Sequence, residues 1–122
     1  MYTVTVRSQF AAAHFLRCYQ GAPEPLHGHN FKVEVVLSGA DTGPGGMLID
    51  FLWVRERLQE VLGGLEHTCL NDLPAFASAE PSAEHVARHI HRAMAPGLPD
   101  GVELQSVTVW ETEQFGATYR PQ

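Results

Sequence analysis

The feature that most limits the fold of this chain is a pair of histidines, His27 and His29, that leads into an alternating apolar run. After the pair, every second residue is apolar: Phe31, Val33, Val35 and Leu37. Side chains at positions i and i+2 of a β-strand point to the same face of a sheet, so this spacing predicts a strand with both imidazoles on one side. Histidine is the commonest metal ligand, and a catalytic zinc takes three protein ligands. The pair supplies two candidates, although two half-exposed imidazoles at a strand end would show the same pattern.

Another strand precedes this one and also ends on a histidine. Residues 2–14 alternate, and the apolar residues share the parity of His14: Tyr2, Val4, Val6, Phe10 and Ala12. This alternation predicts a half-buried strand. Residues 16–26 contain a glycine and two prolines and are expected to form a loop. The strand that follows is expected at about residues 30–39.

The middle of the chain is expected to be helical. After a glycine-rich turn at residues 41–46, Asp50 is a candidate N-cap for a helix that stops at Gly63 and Gly64. The apolar residues of this helix recur at helical spacing: Val54, Leu58, Val61, Leu62 and Leu65. A connector over residues 65–73 should lead to a second helix, with Ser82 as its N-cap.

Two short strands at the end of the chain, residues 102–111 and 115–120, give the order β-β-α-α-β-β. Two hairpins that flank two helices predict an α+β domain over residues 1–122, with a four-stranded antiparallel sheet and both helices on one face. Val36 and Trp110 lie beside apolar neighbours of the opposite parity, which indicates a sheet that is apolar on both faces. Such a sheet would find its second cover by oligomerisation.

Composition excludes several classes of function. The net charge is -6 and Lys32 is the single lysine, whereas nucleic-acid binding requires a basic surface. No apolar run is long enough for a membrane span, and no export signal is visible. The two cysteines, Cys18 and Cys69, form no disulfide framework, so a reduced cytoplasmic setting is expected.

Five short motifs follow one another along the whole chain: His14 at the end of the first strand, His27-Gly28-His29, Ile49-Asp50-Phe51, Glu66-His67 and Val109-Trp110-Glu111-Thr112. As a set, they resemble the 6-pyruvoyltetrahydropterin synthase and 6-carboxytetrahydropterin synthase family. The resemblance implies the tunnelling fold, in which three subunits close their sheets into a twelve-stranded barrel and two rings stack into a homohexamer.

The resemblance also implies the chemistry of the site. His14, His27 and His29 would bind zinc, and Glu111 would grip a pterin ring in an active site between subunits. A carboxylate suits this role because it can accept the ring N–H and the neighbouring amino group together. The segment Ser82-Ala83-Glu84 after Pro81 resembles the helix start of the family.

This chain departs from the family at the catalytic cysteine. The two positions where the family carries that cysteine, six or four residues before the first histidine of the pair, are Gly21 and Pro23 here. Glu24 instead gives Glu-x-x-His-Gly-His, which resembles a branch in which glutamate replaces cysteine. Members of that branch cleave the side chain of dihydroneopterin, or of its triphosphate, to 6-hydroxymethyl-7,8-dihydropterin. The Asp-His pair of the family is Glu66-His67 in this sequence.

We therefore expect a zinc-dependent pterin lyase in which Glu24 or His67 takes a proton and Glu66 orients His67. Two alternatives stay open: 6-carboxytetrahydropterin synthase chemistry with a substituted base, and a zinc-containing pterin- or purine-binding protein without turnover. The other histidines, His85, His89 and His91, are expected to be surface or partly buried helix residues with no role in the site. Cys18 is expected to be incidental, and Cys69 is expected to be a buried thiol.

Overall fold

The computed structural model describes all 122 residues. Its regular elements are β1 (Tyr2–His14), β2 (His27–Gly39), α1 (Phe51–Gly63), α2 (Ala83–Met94), β3 (Glu103–Trp110) and β4 (Gly116–Tyr119), with three single-turn 3-10 helices between them. The predicted order of strands and helices is confirmed. No helix combines the length and the apolar character that crossing a membrane requires.

The four strands form one antiparallel sheet in the order β1-β2-β3-β4. Strand β2 begins three residues earlier than the pattern predicted, because His27 lies directly opposite His14 in the register. The same register sets His29 opposite Ala12 and Phe31 opposite Phe10. The hairpin therefore extends to the histidines themselves, and they belong to paired strands rather than to a loop.

Both helices pack on one face of this sheet, and local chemistry fixes where each begins. Asp50 accepts a hydrogen bond from the Leu52 amide at 2.8 Å, and Ser82 accepts one from the His85 amide at 3.2 Å. Both side chains were predicted as N-caps, and they satisfy amides that have no partner within the helix. The buried core lies between this face and the helices; its largest members are Phe10, Phe31, Phe76, Leu37, Leu58, Leu65, Leu70, Ile90 and Met94.

The opposite face of the sheet is mainly polar, so the expectation of a second apolar face is wrong. Its residues on β1 and β2 include Thr3, Thr5, Arg7, Gln9, Asn30, Lys32 and Glu34, most of them exposed. Apart from two alanines near the end of β1, its apolar members are Val36, which is half-buried, and Trp110, which is 38% exposed. Val36 and Trp110 are thus isolated among polar neighbours, which is ordinary for a solvated face.

The first strand forms one edge of the sheet and is covered only near its end. There the His67 amide donates to the Ala11 carbonyl at 2.7 Å, and the Ala13 amide donates to the Thr68 carbonyl at 2.9 Å. The backbone N–H and C=O groups of successive residues point to opposite sides of a strand. Those of the odd-numbered residues from Thr3 to Gln9 therefore point to the open edge of the sheet. A long uncovered edge of this kind is a template for pairing with another strand.

Candidate active site

Three histidines from two strands converge at one end of the helix-covered face. His14 ends β1, His27 begins β2, and His29 lies two residues further along β2. Their ring centroids are 4.7 to 5.2 Å apart, and one nitrogen of each lies within 4.8 Å of the other two. Phe31 packs edge-on against His14 and His29 at 5.2 and 5.3 Å and supports them from the core.

Backbone carbonyls fix the orientation of two of the rings. The Nδ1–H group of His14 donates to the Pro81 carbonyl at 2.7 Å, and that of His27 donates to the Pro25 carbonyl at 2.8 Å. Each bond leaves the Nε2 atom of its ring as the free lone pair. Orientation of a ligating imidazole through its other nitrogen is the usual arrangement around a protein-bound metal.

The free nitrogens fit a metal ion. Nε2 of His14 and Nε2 of His29 are buried and have no hydrogen-bond partner. Buried polar atoms are nearly always paired, so two orphaned lone pairs in one small space indicate that a bound group satisfies them. Three neutral imidazoles are a donor set that zinc accepts, with a fourth position left open. This geometry is compatible with the zinc site that the sequence predicted.

The electrostatics of the site favour a neutral imidazole at His29. Burial is the main reason that the pKa of His29 lies below its ordinary value of 6.5; the neighbouring His14 and His27 lower it further. The carboxylates of Glu111 and Glu24 oppose this shift. A neutral ring keeps the lone pair that a metal requires, so the environment prepares His29 as a ligand at neutral pH.

Glu111 lies next to this cluster, just beyond the end of β3. Its Oε2 atom is 3.4 Å from Nε2 of His29, close enough for its charge to raise the pKa of that residue but too long for a good hydrogen bond. The Glu111 amide donates to the Phe115 carbonyl at 2.9 Å, which closes the β3–β4 turn and holds the carboxylate at the site.

Glu24 is half-buried and held by backbone contacts within its own loop. Its Oε1 atom accepts from the Leu16 amide at 2.8 Å, and its own amide donates to the Leu16 carbonyl at 3.0 Å. The second carboxylate oxygen makes no hydrogen bond within the chain. The negative charge of Glu24 makes the smallest of the contributions to the pKa of His29 and raises it, so the carboxylate acts electrostatically on the histidine cluster.

Glu66 and His67 form a pair of their own at the edge of β1. Nε2 of His67 lies 2.9 Å from Oε1 of Glu66, and the same oxygen accepts from the Ala11 amide at 3.3 Å. The His67 side chain is 81% exposed, and its φ of 58° is in the left-handed region, which is uncommon for a residue other than glycine. No hydrogen bond joins this pair to Glu24 or to the three histidines.

The remaining histidines and cysteines lie outside the cluster. His91 is 8% exposed, and its Nε2–H group donates to the Leu104 carbonyl at 2.8 Å, which fastens α2 to β3. Its burial was not predicted, because a histidine at one helical position carries no sign of its distant partner. Cys18 is exposed; Cys69 is half-buried rather than buried as expected.

Sequence reasoning also missed a group of residues that holds the Glu24 loop: Arg17, Asn71 and Glu80. Their contacts join positions more than fifty residues apart, for example the Arg17 amide to the Glu80 carboxylate at 2.9 Å. No local pattern signals such a contact; only a lone arginine in an otherwise uncharged stretch hinted that it had a distant partner.

Comparison with known proteins places this architecture in a family. The pattern of 6-pyruvoyl tetrahydropterin synthase matches residues 3–122. The chain is 32% identical over 113 residues to the dihydroneopterin monophosphate aldolase of Pyrococcus furiosus, covering 93% of this chain and 92% of that protein. It is 31% identical over 117 residues to a putative 6-carboxy-5,6,7,8-tetrahydropterin synthase of Archaeoglobus fulgidus, covering 96% and 94%.

Solved structures agree on the fold. The 6-pyruvoyl tetrahydropterin synthase of Caenorhabditis elegans superposes with a TM-score of 0.85 at 24% identity, over 99% of this chain and 96% of that one. A Plasmodium vivax 6-pyruvoyltetrahydropterin synthase, solved with a catalytic glutamate replaced by cysteine, gives 0.80 at 20% identity, over 99% and 98%. With the family pattern matched over nearly its full length, this chain belongs to the 6-pyruvoyl tetrahydropterin synthase family.

Proposed function

We propose that this protein is a zinc-dependent lyase that cleaves the C1′–C2′ bond of a dihydroneopterin-type substrate and releases 6-hydroxymethyl-7,8-dihydropterin. One observation carries the choice within the family: Glu24, not a cysteine, stands in the loop before the histidine pair, and the charge of its carboxylate acts on His29. The name of the Pyrococcus furiosus relative, an aldolase acting on dihydroneopterin monophosphate, supports this reaction. In the Plasmodium vivax enzyme, the catalytic residue replaced by cysteine is likewise a glutamate.

His14, His27 and His29 would hold the zinc ion through their Nε2 atoms. Zinc at this position would supply Lewis-acid chemistry, which lowers the pKa of a hydroxyl group that it contacts. The carbonyls of Pro81 and Pro25 keep two of the ligands in orientation, and Phe31 keeps the core side of the site dry. These contacts belong to a single chain, which supports a metal site that needs no residue from a partner.

Two carboxylates of the chain would act on the substrate: one would accept a proton, and the other would bind the pterin ring. Glu24 accepts the proton of the 2′-hydroxyl group as the C1′–C2′ bond breaks, and C2′ leaves as an aldehyde together with C3′. The electron pair of the broken bond passes into the pterin ring, and a proton returned to C1′ completes the hydroxymethyl product. Glu111 would accept the ring N–H and the amino group, which orients the side chain toward Glu24.

His67 would assist this proton transfer from a neighbouring subunit. In its own chain it is exposed at the edge of β1 and has Glu66 as its only side-chain partner. We propose that three copies close their sheets into a barrel through the open β1 edge and that two rings form a homohexamer, in which Glu66 and His67 of one copy reach the Glu24 of another. The polar face of the sheet would then line the inside of the barrel. The two free cysteines suit a reducing cytoplasm.

The test is an assay of the zinc-loaded protein with dihydroneopterin, its monophosphate and its triphosphate. Release of 6-hydroxymethyl-7,8-dihydropterin and an aldehyde, abolished by chelation and restored by zinc, would support the lyase. Formation of 6-carboxytetrahydropterin from the triphosphate would instead favour the reaction named for the Archaeoglobus fulgidus relative. Bound pterin that is returned unchanged from all three incubations would favour a binding protein.

A further inference from the structure

The loop that carries Glu24 has no regular structure, yet it is anchored tightly at its first residues. Phe15 and Asn71 exchange two hydrogen bonds: the Phe15 amide donates to Oδ1 of Asn71 at 3.0 Å, and Nδ2 of Asn71 donates to the Phe15 carbonyl at 2.8 Å. The side-chain amide thus pairs with the backbone as a neighbouring strand would. This contact begins a series that continues through Arg17.

Arg17 joins the loop to three separate points of the connector between α1 and α2. Its guanidinium group donates to the carbonyls of Phe76 at 2.6 Å, Ala79 at 3.1 Å and Asn71 at 3.2 Å. The planar fork of arginine can reach several acceptors at once, which a lysine ammonium group on its flexible stem cannot reproduce. All three acceptors are backbone carbonyl oxygens, which cannot change rotamer as a side-chain acceptor can.

Glu80 holds the same stretch from the other side. Its two carboxylate oxygens accept the amides of Arg17 at 2.9 Å and Cys18 at 3.0 Å, and one of them lies 3.6 Å from the Arg17 guanidinium. The backbone N–H of Arg17, followed by that of Cys18, keeps the pKa of Glu80 below its ordinary value of 4.5. The carboxylate is therefore charged at neutral pH, and its bonds are of the stronger, charge-assisted kind.

This clamp, formed by Arg17, Asn71 and Glu80, is directly connected to both parts of the site. Leu16, the residue before Arg17, makes the two backbone contacts that hold Glu24. Pro81, the residue after Glu80, provides the carbonyl that orients His14. The neighbours of Arg17 and Glu80 in the sequence thus fix the position of Glu24, the proposed base, and the ring orientation of His14, a proposed metal ligand.

We propose that Arg17 and Glu80 are positioning residues that set the distance between the Glu24 carboxylate and the metal site. The proposal rests on the function proposed above, in which Glu24 is the base. A base in an irregular loop needs such support, because a misplacement of about 1 Å can cost about 100-fold in rate. No hydrogen bond or ion pair joins Arg17 or Glu80 to the three histidines or to Glu24.

The first part of the test measures the loop without reference to activity. We compare Arg17→Lys and Glu80→Gln with a matched control, Arg57→Lys, in the zinc-loaded protein. Arg57, on α1, also donates to a backbone carbonyl, that of Pro96 just beyond the end of α2, at 2.7 Å, and it lies 3.8 Å from Glu60. Hydrogen exchange of residues 15–24 should quicken about tenfold or more in the two clamp variants and stay unchanged in the control, with the zinc content and the exchange of β1 and β2 preserved.

The second part measures kcat with and without Glu24. We expect Arg17→Lys and Glu80→Gln each to lower kcat about tenfold in the wild-type background and less than about twofold in the Glu24→Gln background, because a residue that acts through Glu24 loses its effect when Glu24 is gone. An equal loss in both backgrounds, or unchanged exchange in residues 15–24, would overturn the positioning role alone. Full activity of Glu24→Gln would overturn the role of Glu24 itself, and the positioning role with it.

Discussion

The three histidines and the Glu66–His67 pair are two polar groups built in contrasting ways. The histidines lie on paired strands, with carbonyl partners for two rings and an aromatic floor, and their free nitrogens face one another. The pair lies on the edge of the sheet, with His67 exposed and in a left-handed backbone conformation. The three histidines all come from one chain and surround one small space, whereas His67 is an exposed imidazole beside a carboxylate. This difference is consistent with our proposal of a metal centre that each subunit makes alone and an acid–base group that serves a second subunit.

The largest effect on activity is expected from removing one of the three clustered histidines. His27→Ala should remove bound zinc and all activity, since two remaining imidazoles cannot hold an ion placed for three. Metal content after dialysis measures this. The matched control is His89→Gln, which removes an imidazole on α2 outside the cluster and should keep about one zinc per chain. Stoichiometric zinc in His27→Ala would contradict the metal site.

A smaller but still large effect is expected at the proposed base. Glu24→Gln keeps the size of the side chain and an oxygen for the Leu16 amide, but it cannot accept a proton. We expect kcat to fall by about 10²–10⁴-fold, with zinc content and pterin affinity nearly unchanged. Steady-state kinetics with a separate pterin-binding titration measures the two quantities. A parallel loss of binding would assign Glu24 to substrate recognition instead.

The outward-facing group can be tested by mixing subunits. Glu24→Gln and His67→Ala should each be impaired alone, but co-expressed copies with different tags should regain up to about a quarter of wild-type activity, because about one interface in four then pairs an intact Glu24 with an intact His67. Sedimentation of the same sample establishes the assembly. No gain in a mixed hexamer would place His67 and Glu24 in different sites, and a monomer at micromolar concentration would end the shared-site proposal.

The smallest effect concerns stability and a histidine outside both groups. Burial lowers the pKa of His89 below 6.5, so between that lowered value and 6.5 the unfolded chain binds more protons than the folded one. Stability should therefore fall as pH drops through this window, and His89→Gln should reduce that fall. Urea unfolding of metal-free protein at about pH 7.5 and about pH 5.5 measures the difference. An identical pH dependence in wild type and variant would exclude His89 as a contributor.

Predictions from the sequence were correct where the structure depends on residues that are close together in the chain. Alternation predicted β1 with the bounds that the structure has, and Asp50 and Ser82 were recognised as caps because a short acceptor before an apolar helical run is a local signal. The predictions were less accurate where the structure depends on contacts between distant parts of the chain. Strand β2 starts at His27 because His14 lies opposite it, and the sheet's second face is polar although Val36 and Trp110 suggested otherwise.

The sequence by itself determined the order of elements, the strand parity that sets His14, His27 and His29 on one face, and the glutamate that replaces a cysteine before the pair. These depend on the two-residue period of a strand and on the identity of single residues. Only the tertiary structure decided that the free nitrogens meet, that Arg17 and Glu80 hold the Glu24 loop, and that His67 is exposed beside Glu66 at the edge of β1. The contact of His14 with His27 and the contacts of Arg17 with residues 71–80 join positions more than ten residues apart, so they form only when the fold brings those segments together, and no local pattern in the sequence signals them.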